Sequence, residues 1–327
     1  MEIVHSIAEL KHNIDSVISI GTFDGVHLAH QKIIREVIQR AKERNGQSVL
    51  VTFDPHPKEI VGKKKQVDGQ HQPNPAELLT THDEKLDLFF RLGVDLTFVV
   101  PFTYEFSRKP FRDFYVEYIV NGVGVSEVIE GYDHGFGRDR EAGLAQLLAL
   151  GREFAFSVVA EKQFMVGDEP VSSSRIRSLL RAGDITKANN LLGRLFSFSG
   201  TVVIGDRRGK TLGYPTANIA VNDPRKILPG NGVYAVKVFV DDEAHAGLMS
   251  IGKLPTFYEH HARVCEVFIY DFDKNIYGQT VTVECVGWIR EEKQFTSSEE
   301  LVKEMDNDKL IGKEILKMFN SKIYNYS

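Results

Sequence analysis

The segment GTFDGVHLAH, residues 21–30, joins an apolar stretch to an amphipathic one. Residues 16–21 (SVISIG) predict a short buried strand, and residues 28–44 predict a helix because apolar side chains recur about every four positions. Gly21 and Gly25 permit a tight turn between these two elements. Backbone N–H groups and the helix dipole meet at such a helix start, so the segment predicts a phosphate-binding site.

Two histidines, His27 and His30, stand three residues apart at the predicted helix start and therefore share one face. Imidazoles in that place can donate hydrogen bonds to a triphosphate and stabilise the charge that develops on phosphorus during transfer. A purely structural role for the pair stays open. A metal site is disfavoured, because no third ligand is evident nearby in the sequence.

Strand-like and helix-like stretches alternate from this segment to residue 160. Such alternation predicts a parallel sheet with helices on both faces, in which ligands bind at the carboxyl ends of the strands. The further strands are predicted at residues 48–53, 94–100, 127–130 and 154–160, and the further helices at residues 76–92, 111–120 and 140–150.

The pattern changes after Ser172, where two short helical stretches lead into strands separated by turns. Short strands at this spacing predict a small antiparallel barrel, and a C-terminal helix is predicted over residues 298–319. We place the domain boundary at Gly183, which gives domains of residues 1–183 and 184–327. The barrel strands are predicted at residues 201–204, 232–240, 244–251, 264–270 and 280–286.

The composition disfavours several classes of protein. The 327 residues carry a formal net charge of −5, so no global charge favours nucleic acid or an anionic membrane. The sequence shows neither an apolar run of roughly 20 residues nor a signal-peptide pattern. Cys265 and Cys285 lack metal-site spacing and are interpreted as small buried side chains. We therefore expect a cytoplasmic protein that is a monomer or a weak homo-oligomer.

Five segments of the first half resemble, in the same order, the nucleotidyltransferases that make FAD, a branch of the HxGH superfamily. The resemblance implies a Rossmann-like nucleotidyltransferase domain that transfers AMP from ATP to FMN and releases pyrophosphate. Two positions depart from the family pattern: Ala29 replaces the last glycine of the first motif, and His134 stands where phenylalanine is frequent. The five segments are GTFDGVHLAH (21–30), TFDPHP (52–57), LT with EK (79–80 and 84–85), GYDHGFGRDR (131–140) and SSSRIR (172–177).

By this resemblance His27 and His30 would act on the ATP phosphates during catalysis, and His56 and Pro57 would contact the flavin. A capped helix start remains the structural alternative for residues 172–177, and an ordinary turn residue is the alternative for Asp133. The implied ATP and phosphate contacts are Gly21, Phe23, Asp24, His27, His30, Asp133, Ser172, Ser173, Ser174 and Arg177.

The second half contains GDRRGKT, residues 205–211, which is one residue shorter than a Walker A motif and precedes a Gly-Tyr-Pro sequence rather than a helix. We therefore reject a P-loop, although backbone N–H groups of such a turn can still bind phosphate. In the following GYPTANI, residues 213–219, the oxygens of Thr216 and Asn218 point to one side of an extended chain. Hard oxygen ligands so placed suit Mg²⁺ bound to a nucleotide.

Residues 213–219 resemble the PTAN motif of riboflavin kinases, and the resemblance extends from about residue 183 to residue 308. It implies a small antiparallel β-barrel kinase domain with Thr216 and Asn218 as Mg²⁺ ligands. Glu266 would be the general base that takes the proton from the riboflavin 5′-hydroxyl, with an exposed strand glutamate as the alternative. Arg290 and Phe295 would border the flavin. The implied ATP contacts are Gly205, Gly209, Lys210, Gly213, Pro215, Thr216 and Asn218.

Together the two resemblances imply a bifunctional enzyme with Mg²⁺ as cofactor and ATP as co-substrate. It would convert riboflavin to FMN and then FMN to FAD, with neither nucleic acid nor membrane as a partner. One alternative is a monofunctional riboflavin kinase with an impaired transferase domain, motivated by Ala29. A flavin- or nucleotide-sensing module is disfavoured, because a sensor needs no base such as Glu266.

Overall fold

The structure is a computed structural model and describes residues 1–61, 65–67, 70–72, 76–131, 143–205, 213–253 and 263–324. The chain forms two compact units, residues 1–173 and 174–327. This division lies ten residues before the domain boundary placed at Gly183 from the sequence.

The first unit is built on a parallel sheet with the strand order β1-β6-β3-β2-β7-β8. The pairs β4-β5 and β9-β10 form separate antiparallel hairpins. In chain order the strands are β1 Glu2–Val4, β2 Val17–Ile20, β3 Ser48–Asp54, β4 Lys65–Val67, β5 Gln70–Gln72, β6 Leu96–Pro101, β7 Glu127–Glu130, β8 Ser157–Ala160, β9 Met165–Val166 and β10 Glu169–Pro170.

Helices cover both faces of this sheet. Residues 7–9 form a 3-10 turn, and α5 continues as a π-helix over Tyr115–Val123. The helix α7 crosses the division between the two units. The helices are α1 Leu28–Glu43, α2 Pro57–Val61, α3 His82–Leu92, α4 Tyr104–Ser107, α5 Phe111–Phe114, α6 Gly143–Phe154 and α7 Ser173–Arg181.

The central strands β2 and β3 are buried on both faces, as strands of a covered parallel sheet must be. Ile18 on one face packs into a core with the π-helix, whereas Val17 on the other face packs against α1. Each such fully buried aliphatic side chain contributes about 1.5–3 kcal/mol. The carboxyl ends of β2, β3 and β7 therefore lie side by side at one sheet edge, where a ligand site is expected.

The helix predicted over residues 76–92 begins only at His82. Thr81 is its N-cap and forms a capping box with Glu84, in which each side chain accepts from the other residue's backbone N–H. The backbone N–H groups of Leu79 and Thr80 donate instead to Asp24. Tertiary hydrogen bonds thus take the amides that a longer helix would use.

The second unit contains a closed antiparallel barrel of six strands, with the order β11-β12-β15-β14-β13-β16. In its described residues, α8 Ile185–Leu192 precedes the barrel and α9 Ser298–Tyr324 follows it. The strands are β11 Phe196–Val203, β12 Thr216–Val221, β13 Gly232–Val240, β14 Glu243–Lys253, β15 Arg263–Ile269 and β16 Thr280–Arg290.

The helix α9 packs on the outer wall of the barrel, in an apolar cluster that includes Leu248, Phe268 and Leu316. Alternate residues of β15, such as Cys265 and Val267, are fully buried and point into the barrel. The prediction of a Rossmann-like parallel sheet, followed by a small antiparallel barrel and a C-terminal helix, is confirmed.

Candidate active sites

In the first unit the loop between β2 and α1 adopts a conformation that few side chains tolerate. Phe23, Gly25 and Val26 all have positive φ, at 47°, 86° and 38°. For a β-branched residue such as Val26 this conformation is an outlier, and such strain persists only where surrounding contacts impose it. Position 25 accommodates only glycine, because an added Cβ would lie 2.7 Å from Cδ1 of Leu79.

Asp24 fixes this loop from within the protein, since its side chain is almost fully buried. Its Oδ1 accepts hydrogen bonds from the backbone N–H of Leu79 (2.9 Å) and Thr80 (3.2 Å). Its carbonyl accepts a hydrogen bond of 2.9 Å from Oγ of Ser173. A hydrogen bond thus joins Ser173 to Asp24 and helps to fix the loop. The ATP contacts of both residues stay a prediction from the resemblance.

His27 is the N-cap of α1, and its Nδ1 accepts a hydrogen bond of 3.4 Å from the backbone N–H of His30. The two rings are stacked, with centroids 3.6 Å apart and planes at 17°. An Nδ1 that accepts leaves the proton of the neutral ring on Nε2, which can donate to a phosphate oxygen. The structure therefore brings the two predicted histidines together at a helix N-terminus, with Phe23 edge-on to His30 at 5.3 Å.

The other site residues predicted in this half lie at the following places, and their ligand contacts stay a prediction. Gly21 follows β2 directly, and its N–H donates to the carbonyl of Val51 at 3.0 Å. His56 and Pro57 follow the carboxyl end of β3, and Pro57 opens α2. Ser172 belongs to the first unit, whereas Ser174 and the buried Arg177 lie on the part of α7 in the second unit. Asp133 lies outside the described residues.

Lys85, noted above only as part of the EK pair, also lies at the carboxyl ends of β2 and β3. Its side chain is only 7% exposed, and its Nζ donates to Oγ1 of Thr52 at 3.0 Å and to the carbonyl of Thr22 at 3.4 Å. Burial lowers the pKa of Lys85 to about 8, and the charges of Asp24 and Asp54 oppose that shift.

In the second unit the strand register places Asn218 of β12 directly opposite Glu266 of β15. Ser250 of β14 is directly opposite Glu266 on its other side. Directly opposite Cβ atoms in an antiparallel pair are about 4.5–5.5 Å apart, so the three side chains form one row across the strands. Thr216 lies two residues from Asn218 on the same outer face, opposite Phe268.

Gly205 lies against the end of this row. An added Cβ at Gly205 would be 2.1 Å from Nδ2 of Asn218 and 2.5 Å from its Cγ, so the amide occupies that space. Thr216, Asn218 and Glu266 thereby offer hydroxyl, amide and carboxylate oxygens on one half-exposed surface. Such hard oxygens fit Mg²⁺ carried by a nucleotide, because that ion keeps several waters and uses few protein ligands.

The segment before this row is fixed by α9. Tyr214 donates a hydrogen bond to Oδ1 of Asp306, and its ring packs on Phe268 with centroids 5.0 Å apart. Burial, with the hydrogen bond to Asp306 and its negative charge, raises the pKa of Tyr214 to about 12, so the hydroxyl remains the donor. Gly213 has a φ of 83°, and Pro215 leads from Tyr214 into β12.

Arg290, a predicted flavin contact, uses its guanidinium to bind α9. Its Nε and one terminal nitrogen donate to the two carboxylate oxygens of Asp308, at 2.8 and 2.7 Å. Glu304 adds a longer ion pair of 3.3 Å, and the ring of Phe295 lies 5.8 Å below the guanidinium. The geometry therefore gives Arg290 a structural partner, while its flavin role stays a prediction. Gly209 and Lys210 lie outside the described residues.

Sequence reasoning missed Lys85, Ser250 and Asp306 as members of these sites. The EK pair at residues 84–85 had been noted only as part of the resemblance, and Ser250 only as part of a strand predicted at residues 244–251. None of the described helices is long and apolar enough to cross a membrane. The described residues also contain no group of three or more His, Cys, Asp or Glu side chains that could hold a metal ion.

In comparisons with known proteins, two different family models match the two halves of the chain. The FAD synthetase family model matches residues 9–175, and the riboflavin kinase model matches residues 192–316. A bifunctional riboflavin kinase/FMN adenylyltransferase from Listeria monocytogenes is 36% identical over 297 residues, covering 90% of this chain and 91% of the relative. The protein of the same name from Bacillus subtilis is 34% identical, covering 90% of each chain.

Among solved structures, one described as a macrolide-efflux protein from Streptococcus pneumoniae superposes with a TM-score of 0.83 at 27% identity. It covers 95% of this chain, and this chain covers 98% of it, so the likeness includes the folds of both units. With both family models matched, and with relatives above 30% identity over most of their length, the chain belongs to the family of bifunctional riboflavin kinase/FMN adenylyltransferases.

Proposed function

We propose that this chain uses ATP twice, with riboflavin phosphorylated to FMN by the second unit and FMN adenylylated to FAD by the first. The observation that carries the proposal is the row of Asn218 and Glu266 on the outer wall of a riboflavin kinase barrel. In the first unit, the stacked His27 and His30 at a helix start, within a region matching FAD synthetase, support the second reaction.

In the kinase reaction, a carboxylate oxygen of Glu266 takes the proton of the riboflavin 5′-hydroxyl. The hydroxyl oxygen attacks the γ-phosphorus of ATP, and the bond from that phosphorus to the bridging oxygen breaks, releasing ADP. Mg²⁺, when bound, neutralises charge on the phosphates. Thr216 and Asn218 hold its nucleotide complex beside Glu266, so the chain supplies mainly positioning and a base.

In the transfer reaction, a phosphate oxygen of FMN attacks the α-phosphorus of a second ATP. The bond between that phosphorus and the oxygen bridging to the β-phosphorus breaks, and pyrophosphate leaves. The Nε2–H group of His27 and a ring N–H group of His30 donate hydrogen bonds to the phosphate oxygens on which negative charge grows. The two rings are stacked with centroids 3.6 Å apart, so both imidazoles lie at the same point of the site.

The departure at Ala29 does not disturb the backbone. Ala29 is the second residue of α1 and is half-buried, and alanine is the residue most favourable for a helix. We therefore propose full bifunctionality, in a cytoplasmic monomer or weak homo-oligomer.

Cys265 and Cys285 are free and buried, and burial raises the pKa of the Cys265 thiol to about 12, so neither is a reactive thiol.

The test is to incubate the full chain with riboflavin, ATP and Mg²⁺ and to follow FMN and FAD by chromatography. We expect FMN to appear first and FAD after it, with pyrophosphate released in proportion to FAD. Accumulation of FMN without FAD would instead identify a monofunctional kinase, and no FMN at all would refute the proposal.

Two variants assign the reactions to their units. Glu266→Gln should lower riboflavin phosphorylation by roughly 100-fold or more, as expected for loss of a general base, while FMN adenylylation persists. His30→Ala should have the converse effect, because it removes a hydrogen-bond donor from the first unit only. Loss of the other unit's activity, with the expected one retained, would contradict the assignment, whereas equal loss of both activities would indicate a folding defect.

A further inference from the structure

Residues 79–85, hereafter the clamp segment, have no role in the chemistry proposed above. The structure nevertheless joins them to the loop that precedes α1 by several buried hydrogen bonds. Asp24 accepts from the backbone N–H of Leu79 and Thr80, and Oγ1 of Thr80 accepts from the N–H of Gly25 at 3.0 Å. The clamp segment therefore holds the loop at consecutive residues.

Lys85 extends this attachment to the sheet. Its Nζ lies 3.0 Å from Oγ1 of Thr52 and 3.4 Å from the carbonyl oxygen of Thr22, and Oγ1 of Thr52 lies 3.4 Å from the same carbonyl. Thr22 precedes Phe23, the first residue of the loop with positive φ. One ammonium thus connects the carboxyl end of β3 to the start of the strained loop.

These contacts explain how the strain in the loop is maintained. Each non-glycine residue held in the left-handed region costs about 1–3 kcal/mol, and such residues cluster at functional sites. Phe23 and Val26 are two such residues, and between them lie the contacts of Asp24 and Gly25 with the clamp segment. A loop free of the clamp segment would relax to ordinary backbone angles and displace His27.

The charge of Lys85 is also informative. A buried ammonium is expensive, and its direct partners here are a neutral hydroxyl and a neutral carbonyl. The charged or titratable groups that act on it from neighbouring elements are Asp24 of the loop, Asp54 of β3 and His82 of α3. A polyanion bound at this sheet edge would supply the negative charge that the protein itself provides only in part.

We propose that Lys85 is a positioning residue for adenylyl transfer, because its ammonium fixes the loop that carries His27 and adds positive charge beneath the bound triphosphate. This inference rests on the proposed function of the first unit. It gives the clamp segment, and with it the LT and EK pairs of the sequence, a physical role in the reaction.

The test compares Lys85→Met, Lys85→Arg and a matched control, Lys42→Met, which makes the same change at an exposed position of α1. Pyrophosphate release from FMN and ATP is measured in the full chain, with kcat and KM for ATP determined from pH 6 to pH 10. Riboflavin phosphorylation by the same preparations is the internal reference for folding.

We expect Lys85→Met to lower kcat/KM for ATP in adenylyl transfer by about 100-fold, the cost of displacing a reacting group by roughly 1 Å. Lys42→Met and the kinase reaction should stay within about twofold of the wild-type chain. Wild-type transfer should decline above about pH 8, where Lys85 loses its proton, and Lys85→Arg should recover most activity and lack that decline.

Transfer by Lys85→Met at the wild-type rate would overturn the inference, as would an alkaline decline that persists in Lys85→Arg. If Lys85→Met does not fold, Thr52→Val removes only the bridging hydroxyl, and we expect a loss of about tenfold in transfer; no loss would overturn the inference equally. A wild-type chain that releases no pyrophosphate from FMN and ATP would refute the proposed function itself.

Discussion

Replacement of Gly205 by alanine is expected to disable the kinase reaction and leave the barrel folded. Gly205 lies after β11, and the new methyl group would be 2.1 Å from Nδ2 of Asn218. The backbone at Gly205 does not have positive φ, so alanine introduces no strain other than this overlap. Asn218 is half-buried and can rotate away, which limits the loss of folding free energy to about 1 kcal/mol.

The effect on the reaction should be larger. An ordinary contact between these atoms is about 3.4 Å or more, so the amide of Asn218 must move by more than 1 Å. A displacement of that size in a group that positions the substrate costs about 100-fold in rate, equivalent to about 3 kcal/mol of activation free energy. We therefore expect kcat/KM for Mg²⁺–ATP in riboflavin phosphorylation to fall by about two orders of magnitude.

Steady-state phosphorylation of riboflavin measures this effect, and FMN adenylylation by the same protein controls for folding. A double-mutant cycle with Asn218→Ala tests the route, because Gly205→Ala should cost little once the amide is gone. Wild-type kinase activity in Gly205→Ala would refute the reasoning. So would an equal loss in the Asn218→Ala background.

Three further predictions concern stability and the transferase loop. Burial lowers the pKa of Lys85 from 10.5 to about 8, so between these values the unfolded chain binds more protons and stability rises with pH. Urea unfolding should show the wild-type chain gaining about 3 kcal/mol relative to Lys85→Met from pH 7 to pH 10.5, and no gain would mean a hydrated ammonium. Gly25→Ala, which places a methyl 2.7 Å from Leu79 at a φ of 86°, should reduce FAD formation at least about tenfold in the chromatographic assay, with FMN formation retained. Asp308→Asn should lower the melting temperature of the barrel by several degrees, seen in tryptophan fluorescence, because it weakens a largely buried ion pair with Arg290 worth about 2 kcal/mol; an unchanged transition would contradict this role.

The periodic elements near the first motif could be predicted because local pattern determines them. Residues 28–44 predicted a helix from spacing alone, and the structure has α1 over Leu28–Glu43. Residues 76–81 were predicted to be part of a helix, and their apolar side chains Ala76, Leu78 and Leu79 are buried. Their amides, however, serve the loop through Asp24, and no local pattern reports a tertiary hydrogen bond. The three-residue β1 offered no period to detect.

The candidate sites divide in the same way. Asn218 and Glu266 could be named from motifs, but their direct opposition depends on the register between β12 and β15. Register is set by pairing between distant segments, so Ser250 could be placed in the row only from the structure. Lys85 was hidden for a different reason, because a lysine in an amphipathic helix is ordinarily at the surface.

Residues along β15 alternate between the barrel interior and the outer wall, so the two sets evolve under different constraints. Cys265 and Val267 fill the barrel, whereas Glu266 between them faces the outer wall. A lineage adapting to a hotter habitat can therefore exchange interior residues for better-packed ones while its neighbouring outward residues stay under separate selection for chemistry. For a protein engineer the same strand offers two sets of positions: the interior Cys265 and Val267 for heat tolerance, and the outward Glu266 for chemistry. The outward Phe268 packs under α9 and belongs with the first set.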